Sequence, residues 1–197
     1  MNNLPNSTKE KIFSFLIGDI SLIEFEAFLY ESKEIENCFK YDDYIELISL
    51  NFNKTNNRYE AFKIIEGNID ISEFVVWKLN KTLNNILNKG KQYPESIVSL
   101  YDLYCKGYYF LEKLGLMYGN ALDYPKEYDY DKNISELSEL EQMKLADAFY
   151  PEIIPAVQLV QQFIKDKKII LTGKLGSLDR YEYIDNRNDE ERIQTEF

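Results

Sequence analysis

An internal repeat with an offset of 49 residues constrains the fold of this chain more than any other feature. Residues 9–30 align with residues 58–79, and each copy has apolar residues at helical spacing before a glycine, Gly18 or Gly67. A glycine supplies the left-handed residue that commonly ends a helix. The matched pairs are Phe13/Phe62, Leu16/Ile65, Gly18/Gly67, Ile20/Ile69, Leu22/Ile71, Glu24/Glu73, Phe25/Phe74 and Phe28/Trp77. The pattern predicts two helix–glycine–helix units with Phe25 and Phe74 buried.

The second helix of each copy begins with a capping pattern. Ser21 and Glu24 have the spacing of an N-cap residue and the third helical residue, and so do Asp70 and Glu73. In a capping box the two side chains satisfy each other's backbone N–H groups. Two copies fall short of the three repeats that an open solenoid usually needs. We therefore expect a compact helical bundle.

The remaining segments complete a mainly α prediction. Helices are predicted at 41–52, 71–88, 97–118, 138–150 and 151–165, with a loop of about a dozen residues at 119–131. The change to a two-residue period at 168–172 and 180–184 predicts a small β-hairpin, approximately residues 167–185. The polar tail, approximately 187–197, is expected to fray. We predict one domain, 1–197, of mainly α class: a helical bundle with a small C-terminal β-hairpin.

Charge and composition exclude several classes of function. The 197 residues include 34 acidic and 23 basic side chains, a net charge of −11, and no histidine. An acidic field repels phosphate backbones and anionic lipid, so we predict binding to neither nucleic acid nor membrane. Without histidine the usual Ser-His-Asp and Cys-His nucleophiles are impossible. We predict no catalytic residue, no cofactor and no metal site, and therefore no enzyme.

The cysteines and the N-terminal residues bear on the compartment. Cys38 and Cys105 are far apart in sequence, each in an apolar helical pattern that favours a buried free thiol. The apolar run at 12–17 is too short for a signal-peptide core, and no stretch approaches the length of a membrane span. The prediction is a cytoplasmic protein.

The segment 123–131 is the strongest candidate for partner binding. Tyrosines provide contact area with few rotatable bonds, and carboxylates provide complementarity to a basic partner. Residues 123–152 contain nine acidic side chains and three lysines, which gives a net charge of −6. The alternative is a solvated loop whose tyrosines pack back on the fold. The candidate residues are Asp123, Tyr124, Glu127, Tyr128, Asp129, Tyr130 and Asp131.

Asp129, Asp131 and Asn133 have the spacing that opens a calcium loop. The sixth position of that loop holds Ile134 where glycine is needed, and the twelfth holds Leu140 where glutamate is needed. We therefore predict no calcium site.

Three segments give the chain a resemblance to a functional class. They are the doubled Gly-(Asp/Asn)-Ile-x-(Leu/Ile)-x-Glu-Phe-x-x-(Phe/Trp) pattern, the aromatic stretch 100–119, and Tyr-Glu-Tyr-Ile-Asp-Asn-Arg at 181–187. With these, the chain resembles the small acidic immunity proteins of bacterial toxin–immunity systems. The resemblance implies a cognate toxin as partner and no catalysis.

Three functional hypotheses follow. The first is a stoichiometric inhibitor whose acidic, Tyr-rich face binds a basic toxin domain. The catalytic cleft of a nuclease is an example of such a basic surface. The second is a helical adaptor whose partner is not a toxin. The third is a small enzyme that uses carboxylate, tyrosine and lysine chemistry. The sequence predicts no oligomeric state.

Overall fold

The computed structural model describes residues 4–196. It is mostly helical with one two-stranded antiparallel hairpin near the C-terminus, which confirms the predicted fold class. The described α-helices are α1 (Asn6–Leu16), α2 (Leu22–Glu31), α3 (Lys33–Cys38), α4 (Tyr41–Ile48), α5 (Asn57–Glu66), α6 (Ile71–Leu87), α7 (Tyr93–Cys105), α8 (Ala121–Asp123), α9 (Glu139–Asp147), α10 (Ile153–Lys165) and α11 (Asp189–Ile193). The strands are β1 (Ile169–Leu175) and β2 (Tyr181–Asp185). A π-helix covers Leu114–Asn120, and 3₁₀ turns cover Tyr109–Leu111, Lys126–Tyr128, Ile134–Glu136 and Ser177–Asp179.

Contacts divide the chain into two compact units, with the boundary inside α6. Unit 1 is Met1–Phe74 and unit 2 is Val75–Phe197. The single domain 1–197 stays a prediction.

The first repeat folds as predicted. Helix α1 ends at Leu16, and Gly18 takes a left-handed φ of +92° in the turn that follows. Ser21 then caps α2: its Oγ accepts from Glu24 N at 3.2 Å, and its own N donates to Glu24 Oε2 at 2.7 Å. The hydrogen bond that Ser21 N donates to the carboxylate is the main cause of the lowered pKa of Glu24. The predicted capping box is confirmed.

The turn of the second repeat is built differently. Gly67 has φ −70°, so the predicted left-handed conformation is wrong there. The reason lies in the next residue, because Asn68 satisfies the last carbonyls of α5 in place of a left-handed glycine. Its Nδ2 donates to Ile64 O at 2.8 Å, and its backbone N donates to Ile65 O at 2.9 Å.

The cap of α6 also departs from a simple copy. Asp70 Oδ1 accepts from Ser72 Oγ at 2.7 Å and from Ser72 N at 2.8 Å, and the hydrogen bond from the hydroxyl is the main cause of the lowered pKa of Asp70. The Glu73 carboxylate binds Lys9 Nζ at 2.5 Å. Glu73 is nevertheless the third residue of its helix, as Glu24 is of α2.

The helix–glycine–helix order is present in both copies, and Phe25 and Phe74 are buried as predicted. A true duplication stays a hypothesis.

The core of unit 1 forms around stacked rings. Phe15 and Phe25 are both fully buried, with ring centroids 3.8 Å apart and planes inclined by 11°. Phe52 packs against Phe25 at 6.4 Å. Arg58 holds the end of the first hairpin, because its guanidinium donates to the carbonyl oxygens of Phe15 and Ile20 at 2.6 and 2.7 Å.

In unit 2 the predicted long helix 97–118 is broken. Helix α7 ends at Cys105, and Gly107 turns the chain with φ +118°. A Cβ on Gly107 would lie 3.0 Å from Tyr181 O and 3.1 Å from Arg180 Cβ, so the hairpin approaches the backbone too closely for another residue type. The predicted continuous helix is wrong because the chain reverses here.

After the reversal, the π-helix packs closely on α7. A Cβ on Gly115 would lie 2.9 Å from Tyr104 Cβ, and one on Gly119 would lie 2.9 Å from Ile97 O. Two glycines four residues apart thus allow the two helices to touch through their backbones.

The C-terminal part of the chain extends beyond the prediction. Strands β1 and β2 confirm the hairpin at approximately 167–185. The structure corrects the expected frayed tail, because residues 189–193 form α11 with an Asn188/Glu191 capping box. Arg187 explains the order: it is 7% exposed, donates to Asp185 Oδ2 at 2.9 Å and also donates to Thr195 Oγ1.

Candidate functional site

The predicted binding segment follows the π-helix in unit 2. In place of the expected loop at 119–131, the structure has the end of the π-helix, α8 and a 3₁₀ turn at Lys126–Tyr128. The short turns keep the segment near the surface. Five of the seven candidate residues are exposed: Tyr124, Glu127, Asp129, Tyr130 and Asp131.

The other two candidates, Asp123 and Tyr128, are half-buried and fix the segment in place. Asn133 Nδ2 donates to Asp123 Oδ1 at 2.5 Å. The Tyr128 hydroxyl donates to Glu141 Oε1 at 3.1 Å, and this hydrogen bond raises the pKa of Tyr128. Asp123 and Tyr128 are therefore anchors of the segment, and the alternative that tyrosines pack back on the fold holds for Tyr128.

The backbone that follows Tyr128 directs Tyr130 outward. Asp129 and Tyr130 both have positive φ angles, +52° and +59°. This left-handed region is sparsely populated by residues other than glycine, and two in succession reverse the chain sharply. Tyr130 is 65% exposed and Tyr124 is 47% exposed.

A cavity of about 200 Å³ lies beside this turn. Its lining residues are Ala121, Leu122, Pro125, Lys126, Glu127, Tyr130, Leu145, Ala148 and Phe149. The lining is mainly apolar, with Lys126, Glu127 and Tyr130 supplying the polar groups. Pockets for small organic ligands are typically about 300–1,000 Å³, so this cavity better suits one side chain of a protein partner.

We call the exposed residues Tyr124, Glu127, Asp129, Tyr130 and Asp131, together with this cavity, the acidic tyrosine surface. The structure brings Glu127 and Tyr130 to the edge of the cavity and leaves Tyr124, Asp129 and Asp131 outside its lining.

Sequence reasoning missed the apolar part of the surface. Leu145 and Phe149 lie four residues apart, a spacing that signals one helical face, but nothing in the sequence indicates that they meet Leu122. These three residues come together at the cavity only through the tertiary fold.

Residues 4–196 contain no group of three or more His, Cys, Asp or Glu side chains that could hold a metal ion. Within the same range, no helix has the length and apolar character needed to cross a bilayer. Cys38 and Cys105 are free thiols, and Cys105 is exposed where a buried thiol is expected.

Comparisons with protein-family models, with curated proteins and with solved structures give no significant match. Function is therefore inferred from this chain's own residues.

Proposed function

We propose that the protein is a non-catalytic, stoichiometric inhibitor of a basic protein, of the kind that neutralises a bacterial toxin. The observation that supports this most is the acidic tyrosine surface, in which Glu127 and Tyr130 line a mainly apolar cavity and further exposed tyrosine and aspartate side chains lie outside its lining. Aromatic anchors and pockets at the centre of an interface supply most of the binding free energy in protein complexes. A surface with both features suits a protein partner better than a small molecule.

The two kinds of side chain in this surface have separate roles in the proposal. Glu127, Asp129 and Asp131 attract a basic partner over a distance and speed its encounter. Tyr124 and Tyr130 make close contacts once the complex has formed and slow its dissociation. The cavity accepts an apolar side chain of the partner.

The partner can be sought as the product of the gene adjacent to this one. We expect that product to arrest growth when expressed alone and that co-expression of this protein restores growth. The purified proteins should form a complex of fixed stoichiometry in which the partner's activity is lost. A complex in which the partner keeps its activity would instead support the helical adaptor.

The role of the surface is tested on the rates of binding to that partner. Tyr130→Ala is expected to raise the off-rate, weakening affinity by at least about 2 kcal/mol, or about 30-fold. Asp129→Asn with Asp131→Asn should lower the on-rate and flatten its dependence on salt. Stopped-flow or surface-plasmon measurements at two salt concentrations separate the two effects.

Tyr59→Ala is the matched control, because Tyr59 lies in unit 1 and is 63% exposed, close to the value for Tyr130. It should leave both rates unchanged. If neither set of variants on the acidic tyrosine surface changes a rate, the partner binds elsewhere and the surface proposed here is incorrect.

A further inference from the structure

Unit 1 carries a second acidic region that is more strongly charged than the first. Between residues 19 and 46 there are nine acidic side chains and two lysines, a net charge of −7. These residues include helices α2, α3 and α4. A charged region alone identifies no binding site, so the apolar residues among these charges are decisive.

Helix α4 places an apolar stripe at the surface of unit 1. Tyr41, Tyr44, Ile45 and Ile48 occupy positions i, i+3, i+4 and i+7, which lie on one side of a helix. Of the eight residues of α4, Leu47 is buried, whereas Tyr41 is 75% exposed and Ile45 is 39% exposed. Tyr41 and Ile45 therefore lie at the surface of unit 1, and Tyr44 and Ile48 are half-buried beside them.

A tyrosine from α2 extends this stripe. Tyr30 is 62% exposed, and its hydroxyl donates to the carbonyl oxygen of Ile48 at 3.2 Å, which holds it beside the end of α4. Burial raises the pKa of Tyr44, and the charges of Glu36 and Tyr30 add to the shift. We call Tyr30, Tyr41, Tyr44, Ile45 and Ile48 the α2–α4 face.

We infer that the α2–α4 face binds a basic, amphipathic helical segment of a partner protein. An apolar stripe at helical spacing suits the apolar side of such a segment. Asp42 and Glu46 lie on α4 itself and are exposed, where they can pair with its lysines and arginines. A second copy of this chain fits less well, because self-association would bring two regions of charge −7 together.

This inference stands apart from the proposed inhibitor function, since the α2–α4 face lies in unit 1 and the acidic tyrosine surface lies in unit 2. Each can fail without the other.

The test uses the full chain and a synthetic peptide of about 18 residues, with leucines on one helical face and lysines on the other. A peptide with glutamates in place of the lysines is the charge control. With ¹⁵N-labelled protein, the lysine peptide should shift amide signals of α2 and α4, and the glutamate peptide should not. Calorimetry then gives the affinity of each variant.

The double variant Tyr41→Ser, Ile45→Ser should weaken binding of the lysine peptide at least tenfold. Tyr59→Ser, at an exposed position of α5, and Tyr130→Ala, on the acidic tyrosine surface, should change it less than twofold. Circular dichroism checks that each variant keeps its helical content, which is expected because all four side chains are exposed.

Three outcomes would overturn the inference. Amide shifts confined to residues 121–131 would place the peptide on the acidic tyrosine surface. An equal loss of affinity in Tyr59→Ser would indicate attraction to negative charge without a site. Sedimentation showing a dimer that the Tyr41→Ser, Ile45→Ser variant abolishes would make the face a contact between two copies.

Discussion

Replacing Phe25 with alanine is expected to lower the free energy of unfolding by about 3–5 kcal/mol, the usual cost of removing a fully buried phenylalanine. The ring is fully buried and stacks on Phe15 at a centroid distance of 3.8 Å, with Phe52 also against it. Truncation removes these contacts and leaves a cavity that the neighbouring rings fill only in part. Urea unfolding followed by circular dichroism measures the change.

Ile23→Ala is the control for this experiment, since Ile23 lies in the same helix and is 61% exposed. Its effect should stay within about 0.5 kcal/mol, as is usual for surface substitutions. A change of that small size in Phe25→Ala would mean that the ring does not pack in the core of unit 1, and the predicted hairpin of the first repeat would then be incorrect.

Raising the pH above 10 is expected to destabilise unit 2 strongly. Burial raises the pKa of Tyr108 to about 12 and that of Tyr150 to about 12, from an ordinary value of 10.0. A raised pKa in the folded state means that the unfolded chain loses the proton first. The stabilisation from the neutral hydroxyl is therefore complete below pH 10 and is lost as the pH rises from 10 to about 12.

For Tyr108, which is 4% exposed, the loss should amount to about 2 kcal/mol. Urea unfolding at pH 9, 10, 11 and 12 measures it. Tyr108→Phe removes the titrating group and should lose less stability over this range, while lysine titration affects both proteins alike. Equal losses in the two proteins would show that the Tyr108 hydroxyl is exposed to solvent.

Local signals in the sequence predicted much of the fold. Ser21 with Glu24 and Ser138 with Glu141 both form capping boxes in the structure, because a cap depends on residues three positions apart. Pro155 lies in the first turn of α10, where its missing N–H costs nothing.

The errors arose where distant residues decide the backbone. Helical periodicity continues from α7 through Gly107, yet the chain turns there because Tyr181 lies against that glycine. The tail is polar and was expected to fray, yet Arg187 orders it through Asp185 and Thr195. Neither contact can be read from spacing, since the partners come from separate elements.

The candidate site likewise has some features that the sequence predicts and others that it does not. Exposure of Tyr124 and Tyr130 agrees with the composition of their segment, whereas Tyr128 is turned inward by its hydrogen bond to Glu141. The cavity exists because Leu122 and Phe149, which are far apart in the sequence, line it together. A hydrogen-bond partner or a cavity wall supplied by another element leaves no local pattern in the sequence.

Relatives of this chain that have diverged at the surface should still keep small residues at the positions of Gly115 and Gly119. Any side chain there would separate the π-helix from α7, since an added Cβ would come within 2.9 Å of that helix at both positions. Binding surfaces change with their partners. The tyrosines and carboxylates of the acidic tyrosine surface are therefore expected to be less conserved than these two glycines. Two small residues four apart, after the aromatic pair Tyr101 and Tyr104, form a search pattern that should detect common ancestry even where the partner differs.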